Sequence, residues 1–163
     1  MELTRAGLSI PIGKILLETR PEEYLIVTEY NGEDESKAVT AAMTEHLNFC
    51  HSLDIYSPYA IGGMIPLEKI SPESSYAYSH FYTKITNPES PGAVLRPAGV
   101  FAVCCDNQGF KNVAQLCRKL LAYAEEHGFS PGSHIYEDVL LDEMSVKGYD
   151  SYTVKLSLPL VEK

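Results

Sequence analysis

Positive charge is scarce in this chain, and tryptophan is missing altogether. There are 13 Lys and Arg residues against 22 Asp and Glu, for a formal net charge of −9. A surface so short of positive charge cannot grip nucleic acid or an anionic membrane by electrostatics. Neither is expected as a direct partner, whereas cations are attracted. Long apolar runs are also lacking: none approaches the roughly 18 residues that a membrane span needs. The N-terminus, MELTRAGLSIPIGK, has one Arg and then a broken apolar stretch. It lacks the continuous apolar segment of a secretory signal. Cysteine is sparse. Cys50, Cys104, Cys105 and Cys117 form no CxxC pair, and Cys50 and Cys117 fall on apolar helical positions. Buried reduced thiols in a cytoplasmic protein are the expectation. His46 and His51 are five apart, on different sides of a helix, so no metal site is expected.

Tyrosine, by contrast, is abundant: 11 Tyr and 5 Phe in 163 residues. Tyr is amphipathic, and its hydroxyl wants a partner when buried. So many in a small domain suit a surface that meets a ligand, although Tyr also simply favours strands. Hydrophobic residues make up 45% and charged residues 21%, an ordinary globular balance for one domain with a real core.

The periodicities predict a repeated order. Lys14–Thr19 reads as extended, and EYLIVTEY (Glu23–Tyr30) as a strand closed by Asn31-Gly32. Ser36 is a candidate N-cap for a helix over 37–53, with Val39, Met43, His46, Leu47, Cys50 and Leu53 at helical spacing. Strands are predicted over Tyr59–Leu67, with Gly62-Gly63 marking a bulge or close approach, and over Ser75–Ile85. NPESPG (87–92) is the strongest linker signal. A strand over Ala98–Asp106 follows, then a helix over 110–127 closed by Gly128, and a loop over Ser130–Gly132. The chain ends with strands over His134–Glu143 and Asp150–Leu160. The expected class is α+β. Two β-α-β-β units, approximately 14–86 and 93–163, form a single domain over 1–163, in which an antiparallel sheet is backed by two main helices. A ligand pocket is expected at the pseudo-twofold seam.

Within HIYEDVLLDE (134–143) one position stands out. Glu137 puts a carboxylate, beside Tyr136, where a packed strand would carry Val, Ile or Thr. An ionisable group on a half-buried pleated surface costs free energy unless paired. If Glu137 faces the interior, its partner is expected to be a ligand. If it faces solvent, it is an ordinary surface carboxylate paired with a Lys.

The run RPAGVFAVCCDNQGF, the helix KNVAQLCRKLLAYAEEHGF, then IYEDVLLDE and YTVKLSLPL resembles the second half of the GyrI-like fold. That fold is the effector-binding domain of MerR-type, BmrR-like multidrug regulators, and it also occurs in stand-alone proteins. The combined match covers residues 96–161. The first half matches the duplicated architecture more loosely. The resemblance implies that Glu137 anchors lipophilic cations or aromatic drug-like molecules, with Tyr152 and Asp150 in the same pocket. Tyr136, Tyr59, Tyr78 and Phe81 are further candidates from the pattern alone. It implies no cofactor, and as partners hydrophobic or cationic small molecules, with a homodimer or a regulator partner left open. The N-terminal helix-turn-helix and coiled helix of the regulators have no counterpart before residue 20. The chain is thus expected to be a stand-alone effector-binding protein or one domain of a regulator. Two alternatives stand beside this reading. One is a small-molecule hydrolase with Glu137 as general base, assisted by Tyr152 or Tyr136. The other is a gyrase-inhibitor-like module that binds a protein.

Overall fold

The computed structural model describes residues 2–3, 10–31, 36–56, 61–70, 77–108, 110–140 and 153–162. A short ribbon pairs β1 (Glu2–Leu3) with β2 (Ile10–Pro11). The main sheet has nine strands: β3 (Leu16–Arg20), β4 (Glu23–Glu29), β5 (Gly62–Pro66), β6 (His80–Ile85), β7 (Val94–Arg96), β8 (Gly99–Asp106), β9 (Phe129–Pro131), β10 (His134–Leu140) and β11 (Thr153–Glu162). Their pairings are all antiparallel. The helices are α1 (Ser36–Ser52) and α2 (Val113–Glu126).

The spatial order β3-β8-β11-β10-β5-β6-β4-β7 carries the duplication. In β4–α1–β5–β6 the first strand lies outermost, the last in the middle and the second innermost. The same holds for β8–α2–β10–β11. The two inner strands, β5 and β10, pair from His134↔Pro66 to Glu137↔Gly63, and this pairing is the seam. The fold is α+β, with a curled antiparallel sheet and two helices.

Both helices pack on one face. Val113, Leu116, Cys117, Leu120 and Ala124 of α2 share a buried cluster with Ile65, Phe81, Ala102, Cys104, Ile135, Val154, Leu156 and Leu158 of the sheet. Ala38, Val39, Ala42 and Met43 of α1 pack against the same cluster. Strand alternation sends the intervening residues to the other face. There Phe101, Val103 and Cys105 form a second cluster with Ile12 and Tyr136. Tyr82 on β6 and Phe101 on β8 are four strand spacings apart, roughly 19 Å on a flat sheet. Yet their rings lie 5.9 and 5.8 Å from the one Arg96 guanidinium carbon. The sheet therefore curls around this second face, which is why Lys155 and Ser157 are buried on it instead of solvated.

Several expectations need correction. Residues 130–132 do not form a simple loop, because Ser130 and Pro131 belong to β9. β11 is ten residues long and its end outruns β10, so Leu160–Glu162 offers a free edge that Phe129–Pro131 fills. Behind the linker, β7 adds an unanticipated strand to β4. Ser36 begins α1 as its first helical residue, and α2 starts at Val113 with Asn112 as its cap. Leu47, placed on the buried face of the first helix, is 44% exposed. Of the two readings of Gly62-Gly63, the structure shows close approach and not a bulge: both pair in register with β6, Gly63 also pairs with Glu137 of β10, and a tyrosine ring lies over each. Gly128, with φ +77°, follows α2 as expected. All four cysteines are free and buried.

Candidate functional site

Alternation along β10 sends Ile135 and Glu137 to the helix face, and Tyr136 and Asp138 to the concave one. Glu137 is 3% exposed, so it is not a surface carboxylate. Nor does its burial demand a ligand, because the chain supplies a partner. The Tyr78 hydroxyl donates to Glu137 Oε1 at 2.6 Å. Tyr78 comes from just before β6 and crosses β5 to reach β10. It can do so because β5 carries glycine at that point. A Cβ on Gly63 would stand 2.5 Å from the Tyr78 ring, closer than real contacts allow. The Tyr78 ring lies 5.3 Å from that of Phe81, and Phe81 lies 5.2 Å from Tyr30. A row of three aromatic rings thus leads to the carboxylate. Burial pushes the Cys117 thiol on α2 upward, and the Glu137 charge adds to the shift.

On the far side of Tyr30 a cleft of about 510 Å³ opens between the end of β4 and α1. Its walls include Thr28, Glu29, Tyr30, Glu45, His46 and Phe49. Two exposed carboxylates, Glu29 and Glu45, and the rings of Tyr30 and Phe49 line it. His46, 1% exposed, ties α1 to the sheet. Its Nδ1 meets Thr28 Oγ1 at 2.7 Å and its Nε2 meets Thr83 Oγ1 at 2.8 Å. Burial holds its pKa below the usual value.

The concave face carries a second tyrosine–carboxylate pair. The Tyr82 hydroxyl donates to Asp138 Oδ1. Tyr82 passes over Gly62, where a Cβ would stand 2.4 Å from the ring. Burial, then the Asp138 charge, raises the Tyr82 phenol well above its ordinary pKa, so it remains a donor. The adjacent glycines therefore clear paths for two tyrosines, one on each face of the sheet.

Of the residues picked from the sequence, Glu137, Tyr78 and Phe81 come together on one face. Tyr136 lies on the other, with its ring 4.7 Å from the Arg96 guanidinium carbon and 5.6 Å from the Tyr82 ring. Strand parity forbids it from sharing a pocket with its neighbour Glu137. Tyr59, Asp150 and Tyr152 lie outside the described residues. Sequence reasoning missed Tyr30, Tyr82, Asp138 and His46. The run Glu137-Asp138 held a signal, since two successive carboxylates in one strand must point to opposite faces. Among the described residues no group of three His, Cys, Asp or Glu side chains gathers as a metal site. None of the helices there is long and apolar enough to cross a membrane.

Comparison with known proteins sharpens the picture. No family model matches the chain. It is 29% identical over 161 residues to the multidrug-efflux transporter 2 regulator of Bacillus subtilis. That match covers 98% of this chain and 58% of the regulator, so the chain spans little more than half the length of that relative. Among solved structures, it resembles the EcmrR C-terminal domain with a TM-score of 0.65 and 9% identity, covering 92% of this chain and 98% of that one. A hydrolase from Listeria innocua follows at 0.56 and 15% identity, covering 92% and 93%. A protein solved with bound tetraphenylphosphonium gives 0.52 and 12% identity, covering 90% and 93%. A curled antiparallel sheet joined at its inner strands, with both helices on one face, gives this chain a GyrI-like fold, the one it shares with the EcmrR C-terminal domain.

Proposed function

We propose that the chain is an effector-binding domain, either within a multidrug regulator or on its own, and that it takes lipophilic cations at Glu137. The observation that carries this reading is the buried Glu137 carboxylate, held by Tyr78 at the end of the Tyr30–Phe81–Tyr78 row. A phenol fixes the carboxylate in place without cancelling its charge. An organic cation with delocalised charge gains on both counts. Its apolar surface contributes roughly 25 cal/mol per Å² buried, and each well-placed ring adds about 0.5–2 kcal/mol of cation–π attraction. A single carboxylate imposes little directional geometry, so cations of many shapes are accepted and anions are rejected. Similarity to a named multidrug regulator supports the regulatory setting. The tetraphenylphosphonium-bound neighbour supports the class of ligand.

Calorimetric titration with tetraphenylphosphonium tests the reading on wild type and Glu137→Gln. Gln keeps the shape and still accepts a hydrogen bond from Tyr78, but it removes the charge. The expected loss is about 2–5 kcal/mol, which is roughly thirtyfold or more in affinity. A neutral ligand of similar shape should lose far less. If wild type binds none of a panel of lipophilic cations, the effector reading fails, and hydrolysis of reactive small molecules with Glu137 as base becomes the next to assay. If binding persists unchanged in the Gln variant, a pocket exists but Glu137 is not its anchor.

A further inference from the structure

We propose that the concave face of the sheet holds a second site, for a small carboxylate, formed by Arg20 and Arg96 beside Phe101. Arg20 ends β3 and Arg96 ends β7, strands at opposite ends of the sheet order, and the curl brings both side chains inside. They are 7% and 4% exposed. Their guanidinium carbons lie 4.8 and 5.8 Å from the centroid of the Phe101 ring.

Each guanidinium is only partly satisfied. Arg20 donates through Nε to Glu18 and through Nη2 to Ser157 Oγ at 2.9 Å. Arg96 donates through Nη2 to Glu23 Oε1 at 2.8 Å. The Nη1 atom of each is buried and meets no acceptor among the described residues. A buried charged donor without an acceptor is costly, and native proteins seldom leave one so. Here there are two, both near one ring. Both point to the same missing chemistry, an oxygen acceptor with negative charge.

The local charge has the same sign. Glu18 serves two cations at once, since Lys155 Nζ reaches its carboxylate oxygens at 3.1 and 3.0 Å while Arg20 holds Oε1. Tyr82 occupies Asp138 Oδ1, while Oδ2 is buried without a hydrogen-bond partner among the described residues and has Lys84 Nζ at 3.7 Å, so the Asp138 charge is offset by Lys84 and does not cancel the excess beside Arg20. Burial, and then the Arg20 charge, lowers the Lys155 pKa despite its bond to Glu18. The shortfall beside Arg20 amounts to about one charge, which suits a monoanion. Paired N–H donors of a guanidinium match the two oxygens of a carboxylate. Phe101 and Tyr136 give an apolar floor to the body of the ligand. The site lies on the opposite face from Glu137 and selects the opposite charge, so it stands independently of the effector reading.

The test uses wild-type protein labelled with 15N-arginine. Side-chain Nε–Hε resonances are followed during titration with sodium acetate and then sodium benzoate at fixed ionic strength, with sodium chloride and benzamide as controls. Two arginine signals, assigned through Arg20→Lys and Arg96→Lys, should move saturably with the carboxylates and with neither control. Arg20→Lys keeps the charge but loses the planar fork, and should weaken benzoate binding about tenfold or more. Its affinity for tetraphenylphosphonium should stay at the wild-type value. Absence of shifts in the wild-type spectra, or shifts that chloride reproduces, would overturn the site. This outcome is decisive even if a variant fails to fold, because the wild-type spectra need no substitution.

Discussion

Gly62 and Gly63 look like loose punctuation in a strand, yet each is fixed by what lies over it. The Tyr82 and Tyr78 rings occupy the volumes that two Cβ atoms would take. Gly63→Ala must displace Tyr78 from Glu137, and Gly62→Ala must displace Tyr82 from Asp138. Overpacking of this kind costs about 1–3 kcal/mol, and loss of the hydroxyl partner adds to it. Both variants should unfold at lower urea concentration than wild type. Only Gly63→Ala should also weaken tetraphenylphosphonium binding, because only Tyr78 shares a face with Glu137. Equal effects on binding would mean that the two faces are coupled. The sequence marked this pair as special through the rarity of Gly-Gly inside a strand. It could not say which tyrosines used the space, since Tyr78 and Tyr82 reach across a strand whose pairing is set by the fold.

Among the elements, α1 is held differently from α2. The α2 face buries Val113, Leu116, Cys117, Leu120 and Ala124, whereas α1 leaves Leu47 and Phe49 44% exposed. A polar latch, His46 between Thr28 and Thr83, therefore carries more of the docking of α1. Burial lowers the His46 pKa in the folded state, and His134 is lowered as well, by burial and by the nearby His80. The unfolded chain thus takes up protons first as pH falls through about 6.5. Stability is full above that pH and declines below it, until the folded-state pKa is reached. Chemical denaturation at a series of pH values should show this slope in wild type and a shallower one in His46→Gln, with the remainder belonging to His134. An identical slope in the variant would remove His46 from the account. Glu18 acts in a lower window. Burial alone would raise its pKa, but hydrogen bonds from Arg20 and Lys155 outweigh that and lower it. Its contribution is present above the usual carboxylate pKa of about 4.5 and is lost as pH falls further.

At the scale of the whole molecule, the curled sheet and the helices packed on it bury the cysteines, which fixes the state of the thiols. Cys104 and Cys105 point to opposite faces, and both are fully buried. Burial pushes their pKa values to about 12 and about 11. Thiolate is the reactive form, so a thiol reagent at neutral pH should find almost none in native protein. All four cysteines should react once the chain is unfolded without reductant. Fewer than four after unfolding would mean that a disulfide had formed, against the free thiols found here. Fast native labelling would mean that the sheet opens far more readily than its burial implies.

Period and punctuation settled the local order: two helices at 3.6-residue spacing, strands between Gly, Pro and Asn-Gly breaks, and the same succession twice. These are short-range consequences of backbone sterics and of which side chains leave water, so they are written in neighbouring residues. Glu137 also stood out locally, as a carboxylate where a strand wants an apolar residue. What it touches was not local. Whether Glu137 met solvent, a ligand or Tyr78 depended on the register of β10 against β5 and on β6 lying one strand further out. The concave face was the least legible part. Nothing in the pattern around Arg20, Arg96, Lys155 and Asp138 set them apart from ordinary solvated charges, and Arg96 lay in a strand that the pattern did not show. Only the curl of the sheet, which no residue encodes alone, turned those outward positions inward and buried their charges around Phe101.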